Sequence, residues 1–146
     1  MGPYRIVLVG TDGSESSLRA VHRAGEIAAV FSAKVIVASA YLPVDNDPRY
    51  ASSLTDESYK SPPPADAILR EARETAVAAG ATDIEEKPLV GATVDVLVDL
   101  ATEVDADLVV VGSVGLSTVA GRLLGSVPAG VARRANIDVL IVHTTD

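Results

Sequence analysis

Five short runs rich in valine and isoleucine recur along the chain, each parted from the next by a stretch long enough for a helix. No other feature restricts the fold as much. The runs cover residues 5–10 (RIVLVG), 34–40 (KVIVASA), 83–90 (DIEEKPLV), 107–112 (DLVVVG) and 138–143 (DVLIVH). Four of them are apolar almost from end to end, as strands covered on both faces must be. The third alternates and contains Pro88, whose missing N–H suits a sheet edge. Between the runs, apolar residues fall at helical spacing. Leu18, Val21, Ala24, Ala28 and Phe31 form one stripe, and Ile68, Ala72, Thr75, Ala76 and Ala79 a second, closed by Gly80 as a C-terminal cap. Leu97, Leu100, Ala101 and Val104 form a third. A fourth helix is expected over about residues 127–135, with Ser126 as N-cap and Pro128 in its first turn. The alternation predicts an α/β fold: a three-layer sandwich, with a five-stranded parallel sheet and helices on both faces. With 146 residues, the chain is expected to form one domain over residues 1–146.

One stretch departs from this rhythm. Residues 42–65 carry Pro43, Pro48, Pro62, Pro63 and Pro64 among polar residues, and read as a flexible loop. It follows the second strand, where such sheets place loops that cover ligands.

Composition closes off several functions. Twelve Lys and Arg against twenty Asp and Glu give a net charge of −8, which repels a phosphate backbone. Four Tyr, one Phe and no Trp offer little surface for stacking bases, so no nucleic-acid partner is expected. There is no cysteine, hence no disulfide, thiolate metal site or thiol nucleophile. No apolar run approaches the ~20 residues of a membrane span, and the N-terminus lacks the layout of a signal peptide. The expectation is a cytoplasmic protein with no membrane partner.

Ligands of open parallel sheets bind beyond the carboxyl ends of the strands, where the strand order reverses. The residues to read are therefore Gly10-Thr11-Asp12-Gly13-Ser14 after the first strand and Ala38-Ser39-Ala40-Tyr41 at the end of the second. Gly112-Ser113-Val114-Gly115 follows the fourth, with Gly121 and Gly125-Ser126 beyond. Gly112 and Gly115 permit close approach of backbone to ligand, and Gly125-Ser126-Val127 presents N–H groups at a helix start, a site for anions. Two amide clusters flanking one loop suit a di- or triphosphate. Several other chemistries lack their residues. Gly121 to Ser126 has neither the spacing nor the lysine of a P-loop. The acid pair, aspartate and lysine of a receiver domain are missing, as are the three close glycines of a dinucleotide fold. Gly112-Ser113-Val114-Gly115 is one residue short of a nucleophile elbow, and His22 and His143 have no evident catalytic partners.

Gly112, two residues, Gly115, nine residues and Gly125-Ser126 resemble the nucleotide-binding signature of the universal stress protein family. Residues 7–14, 107–112 and 138–142 look like that family's opening, fourth and closing strands, so the resemblance spans essentially the whole chain. Gly10 departs from it, where proline is common, and so does Ala40-Tyr41, where many members carry Val-Val. The resemblance implies a Rossmann-like sheet of the adenine nucleotide alpha hydrolase type, in the order 3-2-1-4-5. It also implies a homodimer through the strand at residues 139–142, and ATP, AMP or cyclic AMP as ligand, with ATP and Mg²⁺ the simplest choice. Carried over residue by residue, Gly10, Thr11 and Asp12 would line the ribose and phosphates, with Asp12 near Mg²⁺. Ala40 would contact adenine, and Val111 and Gly112 would lie beside the ribose. Gly115 would give the phosphates room, and Gly125, Ser126 and Val127 would hold them. Arg122 is added on electrostatic grounds, since a polyphosphate in a protein of charge −8 calls for a cation. Asp12 has a second reading, as a cap of the first helix alone or shared with Ser14.

The function expected is a non-catalytic protein that senses or buffers adenine nucleotide in stress response and acts through regulatory partners. The alternative is a slow ATPase or autophosphorylating enzyme, with Ser113, Ser117, Thr118 or Ser126 as acceptor. A structural dimer with a vestigial pocket is the third possibility, and the intact glycine set argues against it.

Overall fold

The computed structural model describes residues 4–41, 63–113 and 126–143. Its elements alternate as expected: β1 (Ile6–Gly10), α1 (Glu15–Phe31), β2 (Lys34–Tyr41), α2 (Pro63–Ala79), β3 (Asp83–Val90), α3 (Thr93–Glu103), β4 (Leu108–Gly112), α4 (Ser126–Arg134) and β5 (Asp138–Val142). All five strands pair in parallel in the order β3-β2-β1-β4-β5. The order reverses at β1, so the crevice of the sheet opens between β1 and β4.

The alternation of side chains along each strand divides the interior in two. Val7, Val9, Val35, Val37, Leu108 and Val110 point to the face covered by α1 and α2, where they meet Val21, Ala24, Ala28, Leu69, Ala72 and Ala76. Leu8, Ile36, Ala38, Val109 and Val111 point to the other face, against Leu97, Leu100, Ala101 and Val131 of α3 and α4. This two-sided burial is the physical reason that β1, β2 and β4 read as unbroken apolar runs. Gly25 sets the distance between α1 and α2. A Cβ built there would lie 2.9 Å from the Ala76 carbonyl oxygen and 2.8 Å from the Ala79 Cβ, so the helices touch through backbone.

The ends of the elements follow local chemistry. Ser14 caps α1, its Oγ accepting from Ser17 N. Gly80 ends α2 with φ +115°, where its N–H donates to Val77 O and that of Ala81 to Ala76 O. One boundary differs from the expectation. α2 begins at Pro63, inside the segment read as loop, because proline is tolerated in a first turn where no intrahelical N–H bond is required. The rest of that segment, residues 42–62, lies outside the described residues. The helix α4 is described from Ser126 on, so the reading of Ser126 as its N-cap turns on residue 125, outside the described residues.

The sheet edges contrast. β3 carries Pro88 and a charged face: Lys34 Nζ lies 2.7 Å and Lys87 Nζ 3.3 Å from the Glu85 carboxylate, and Arg73 pairs with Glu86 at 2.7 Å. The hydrogen bonds from Lys34 and Lys87 hold Glu85 below the usual carboxylate range, and the Glu85 bond raises Lys34. β5 is the other edge and offers half-buried Val139, Leu140 and Ile141.

Candidate functional site

The site grows from the end of β1. Gly10 closes the strand with no side chain, and a Cβ there would sit 2.9 Å from Leu97 Cδ1 of α3. Thr11 extends the pairing one step, its N–H donating to Ala38 O at 2.9 Å. The chain then turns sharply at Gly13, whose φ of +84° belongs to the left-handed region that glycine adopts without strain. Asp12 Oδ1 accepts from Ser14 N at 2.9 Å, so the carboxylate and Ser14 share the start of α1, the positive end of its dipole.

Behind this turn lies a set of buried hydroxyls. Thr11 Oγ1 accepts from Gly13 N at 3.2 Å and meets Ser17 Oγ at 2.9 Å. Ser17 Oγ also accepts from Asp12 N at 3.3 Å, while its own proton goes to Ser14 O at 2.9 Å. A hydroxyl has one proton, so the proton shared by Thr11 and Ser17 comes from Thr11. Thr11 and Ser17 are only 7% and 6% exposed, which keeps water from competing for these bonds.

The other strand ends meet β1 at the same edge. Ala38 pairs with Gly10, and beyond it stand buried Ser39 and half-buried Ala40 and Tyr41. Val111 and Gly112 end β4, both buried, and Ser113 N donates to Val142 O at 3.0 Å. In α4, Ser126 is exposed, Val127 half-buried and Pro128 buried. The structure thus brings Gly10, Thr11, Asp12, Ala40, Val111 and Gly112 to the carboxyl edge of three adjacent strands. Ser126 and Val127 start the helix that follows β4. Gly115, Arg122 and Gly125, also singled out in the sequence, lie outside the described residues, as do Ser117 and Thr118.

Among the described residues, no three His, Asp or Glu side chains cluster to hold a metal ion. Of the site residues, Asp12 is the one carboxylate. A single protein ligand suits Mg²⁺ held mainly by phosphate oxygens and water, and does not suit a metal bound by protein alone. A cleft of about 630 Å³ opens at the opposite edge, where Tyr4, Arg5, Lys34 and Asp83 stand near the starts of the strands. Two of its polar groups are engaged elsewhere, Tyr4 with Asp138 at 2.9 Å and Lys34 with Glu85. It lies at the wrong end of the strands for a switch-point ligand. Among the described residues, no helix is long and apolar enough to cross a membrane.

An open parallel sheet with small residues and backbone turns gathered at its switch point defines an α/β protein of the doubly wound class, one whose candidate site is built more from backbone than from reactive side chains. The chain belongs to the universal stress protein family, whose profile matches residues 3–143. It is 62% identical to the universal stress protein Rv1636 of Mycobacterium tuberculosis (strain ATCC 25618 / H37Rv) over 147 residues, covering 99% of this chain and 100% of the relative. Its fold matches the crystal structure of a universal stress protein in complex with cyclic AMP, with a TM-score of 0.77 and 62% identity. That match covers 97% of this chain and 98% of the other. A universal stress protein from Archaeoglobus fulgidus in complex with dAMP matches with a TM-score of 0.69 at 25% identity, covering 96% and 98%.

Sequence reading missed Ser17. Its helical position, three residues after the cap, was the available signal, but three serines in four residues gave no reason to single it out.

Proposed function

We propose that this chain binds an adenine nucleotide in the crevice beyond β1, β2 and β4, and that it senses or buffers that nucleotide rather than turning it over. The observation that carries this reading is the cyclic AMP complex of a relative identical at 62% over 97% of this chain. It is supported by the small, backbone-rich residues that stand at the switch point. Ala40 would face the adenine, and Val111 and Gly112 the ribose. Gly10, Thr11 and Asp12 would line the ribose and phosphate. Gly115, Gly125, Ser126 and Val127 would receive the phosphate, with Arg122 supplying positive charge. The protein would act in the cytoplasm, in a stress response, through regulatory partners and as a homodimer joined along β5.

Cyclic AMP is the first ligand in this reading. A cyclic phosphate carries one negative charge, so it requires no metal. ATP with Mg²⁺ is the second, favoured by Asp12, whose carboxylate stands at the turn where a phosphate-bound cation would find one protein ligand. Slow ATP hydrolysis or self-phosphorylation belongs to this second reading.

Calorimetric titration of the purified chain with cyclic AMP, AMP and ATP, each with and without Mg²⁺, tests the proposal. Cyclic AMP is expected to bind most tightly and independently of metal. Tighter binding of ATP that requires Mg²⁺ would favour the second reading. No binding of any of the three would overturn both.

A further inference from the structure

We infer that Ser17 is a positioning residue for the nucleotide-binding turn: it fixes the backbone of Thr11 and Asp12 through a chain of hydroxyl hydrogen bonds and touches no ligand itself. The inference rests on the reading that this turn receives the nucleotide.

The chain runs in one direction. Gly13 N–H donates to Thr11 Oγ1, the Thr11 hydroxyl donates to Ser17 Oγ, and the Ser17 hydroxyl donates to Ser14 O. Asp12 N–H joins it by donating to Ser17 Oγ. Ser17 Oγ is therefore bonded to both ends of the turn. Its oxygen accepts from the strand side, and its proton goes to the cap residue that Asp12 Oδ1 also holds through its N–H. Hydrogen bonds arranged head to tail polarise and strengthen one another, more so where water is excluded. Ser17 sits in the first turn of α1 with its own N–H satisfied by Ser14 Oγ, so its hydroxyl is not needed as a cap. At 6% exposure its hydroxyl is held within this bonded set and is almost closed to solvent. A serine there costs helix propensity relative to alanine, and fixing the turn is the compensating use that the contacts give it.

Without the hydroxyl, the Asp12 amide and the Thr11 hydroxyl lose their acceptor. The turn would then sample conformations that do not bind, and apparent affinity falls by the fraction of time spent in them. The full-length chain and its Ser17→Ala variant are titrated with cyclic AMP and, separately, with ATP and Mg²⁺. Amide hydrogen exchange is followed by NMR without nucleotide. The expected result is a cooperative melt, about tenfold weaker binding of whichever probe the unmodified chain binds, and faster exchange confined to Asp12 and Gly13. In combination with Thr11→Val, the loss of affinity should be well short of the product of the two single losses, because both break one chain. Unchanged affinity and unchanged exchange in a folded Ser17→Ala protein would overturn the inference, and so would multiplicative losses. Should Ser17→Ala fail to fold, Ser17→Cys puts a weak sulfur acceptor in place of the hydroxyl, and Asp12 protection and affinity both equal to those of the unmodified chain would then refute it. Exchange is read without ligand. An unmodified chain that binds neither probe therefore removes the nucleotide reading, and with it the role in binding, while the exchange data still report whether Ser17 holds the turn.

Discussion

Gly13 sets the backbone of the turn that follows β1. Its φ of +84° costs an L-residue roughly 1–2 kcal/mol, and a Cβ would also come within 2.9 Å of Ile68 Cγ1 on α2. The Ile68 side chain can yield; the backbone angle cannot. Gly13→Ala is therefore expected to lose about 1–2 kcal/mol of stability, seen as a lower denaturant midpoint with an unchanged slope. Nucleotide affinity should fall further than that of a surface variant, since Thr11 and Asp12 immediately precede the strained position. A midpoint equal to that of the unmodified chain would show that the turn relaxes freely. Thr11 and Asp12 were legible in the sequence because they follow a strand, and ligand sites of such sheets begin there. The link from Thr11 to Ser17 was not, because hydropathy and spacing report which face a residue occupies and say nothing of which hydroxyls share a proton. Of the two readings of Asp12, the bond from Ser14 N to its carboxylate matches the capping one, shared with Ser14, while the ligand-side role belongs to the proposed nucleotide.

At the scale of elements, the strands were legible almost to the residue, and in β1, β2 and β4 burial on both faces leaves almost no polar position to confuse the period. Pro88 marked β3 as an edge for a covalent reason, its missing N–H. The start of α2 was hidden by the same residue type. Pro62, Pro63 and Pro64 together signal a loop, yet Pro63 and Pro64 open a helix whose first turn asks no N–H of them. Nor could the spacing of α1 show why Gly25 interrupts an alanine-rich helix. In an isolated helix, Gly→Ala gains about 1 kcal/mol. Here the added methyl would press on the Ala76 carbonyl oxygen at 2.9 Å and its Cα at 3.2 Å, and backbone does not move aside cheaply. Gly25→Ala is expected to lower stability by about 1–2 kcal/mol despite the better propensity, because α2 must withdraw from α1. Thermal and denaturant unfolding measure this directly, and a more stable variant would mean that the two helices are not held at backbone contact.

For the whole molecule, the contrast between the two edges of the sheet bears on assembly. β3 is guarded by Pro88, by Lys87, and by acids at 83, 85 and 86, the usual means of refusing another strand. β5 has Asp138 at its start and uninterrupted Val139, Leu140, Ile141 and Val142 after it, with no proline and no inward charge. A net charge of −8 opposes association in general, so a contact must be supplied by a particular surface, and β5 is the unguarded one. Its outward groups can be identified. Ser113 N donates to Val142 O, so the peptide groups of residues 138, 140 and 142 face β4, and those of 139 and 141 face outward. Leu140→Lys or Ile141→Lys would be ambiguous tests, since Leu140 packs against one core of its own chain and Ile141 against the other. Val139→Pro is cleaner, because it removes an outward N–H, keeps a side chain of similar size and leaves the bonds to β4 in place. Sedimentation of the unmodified chain is expected to show a dimer, and Val139→Pro a shift toward monomer of tenfold or more in dissociation constant, with a cooperative melt retained. If the variant dimerises as tightly as the unmodified chain, the subunits meet elsewhere. If the unmodified chain is itself a monomer at tens of micromolar, β5 remains an open edge and the pairing is wrong.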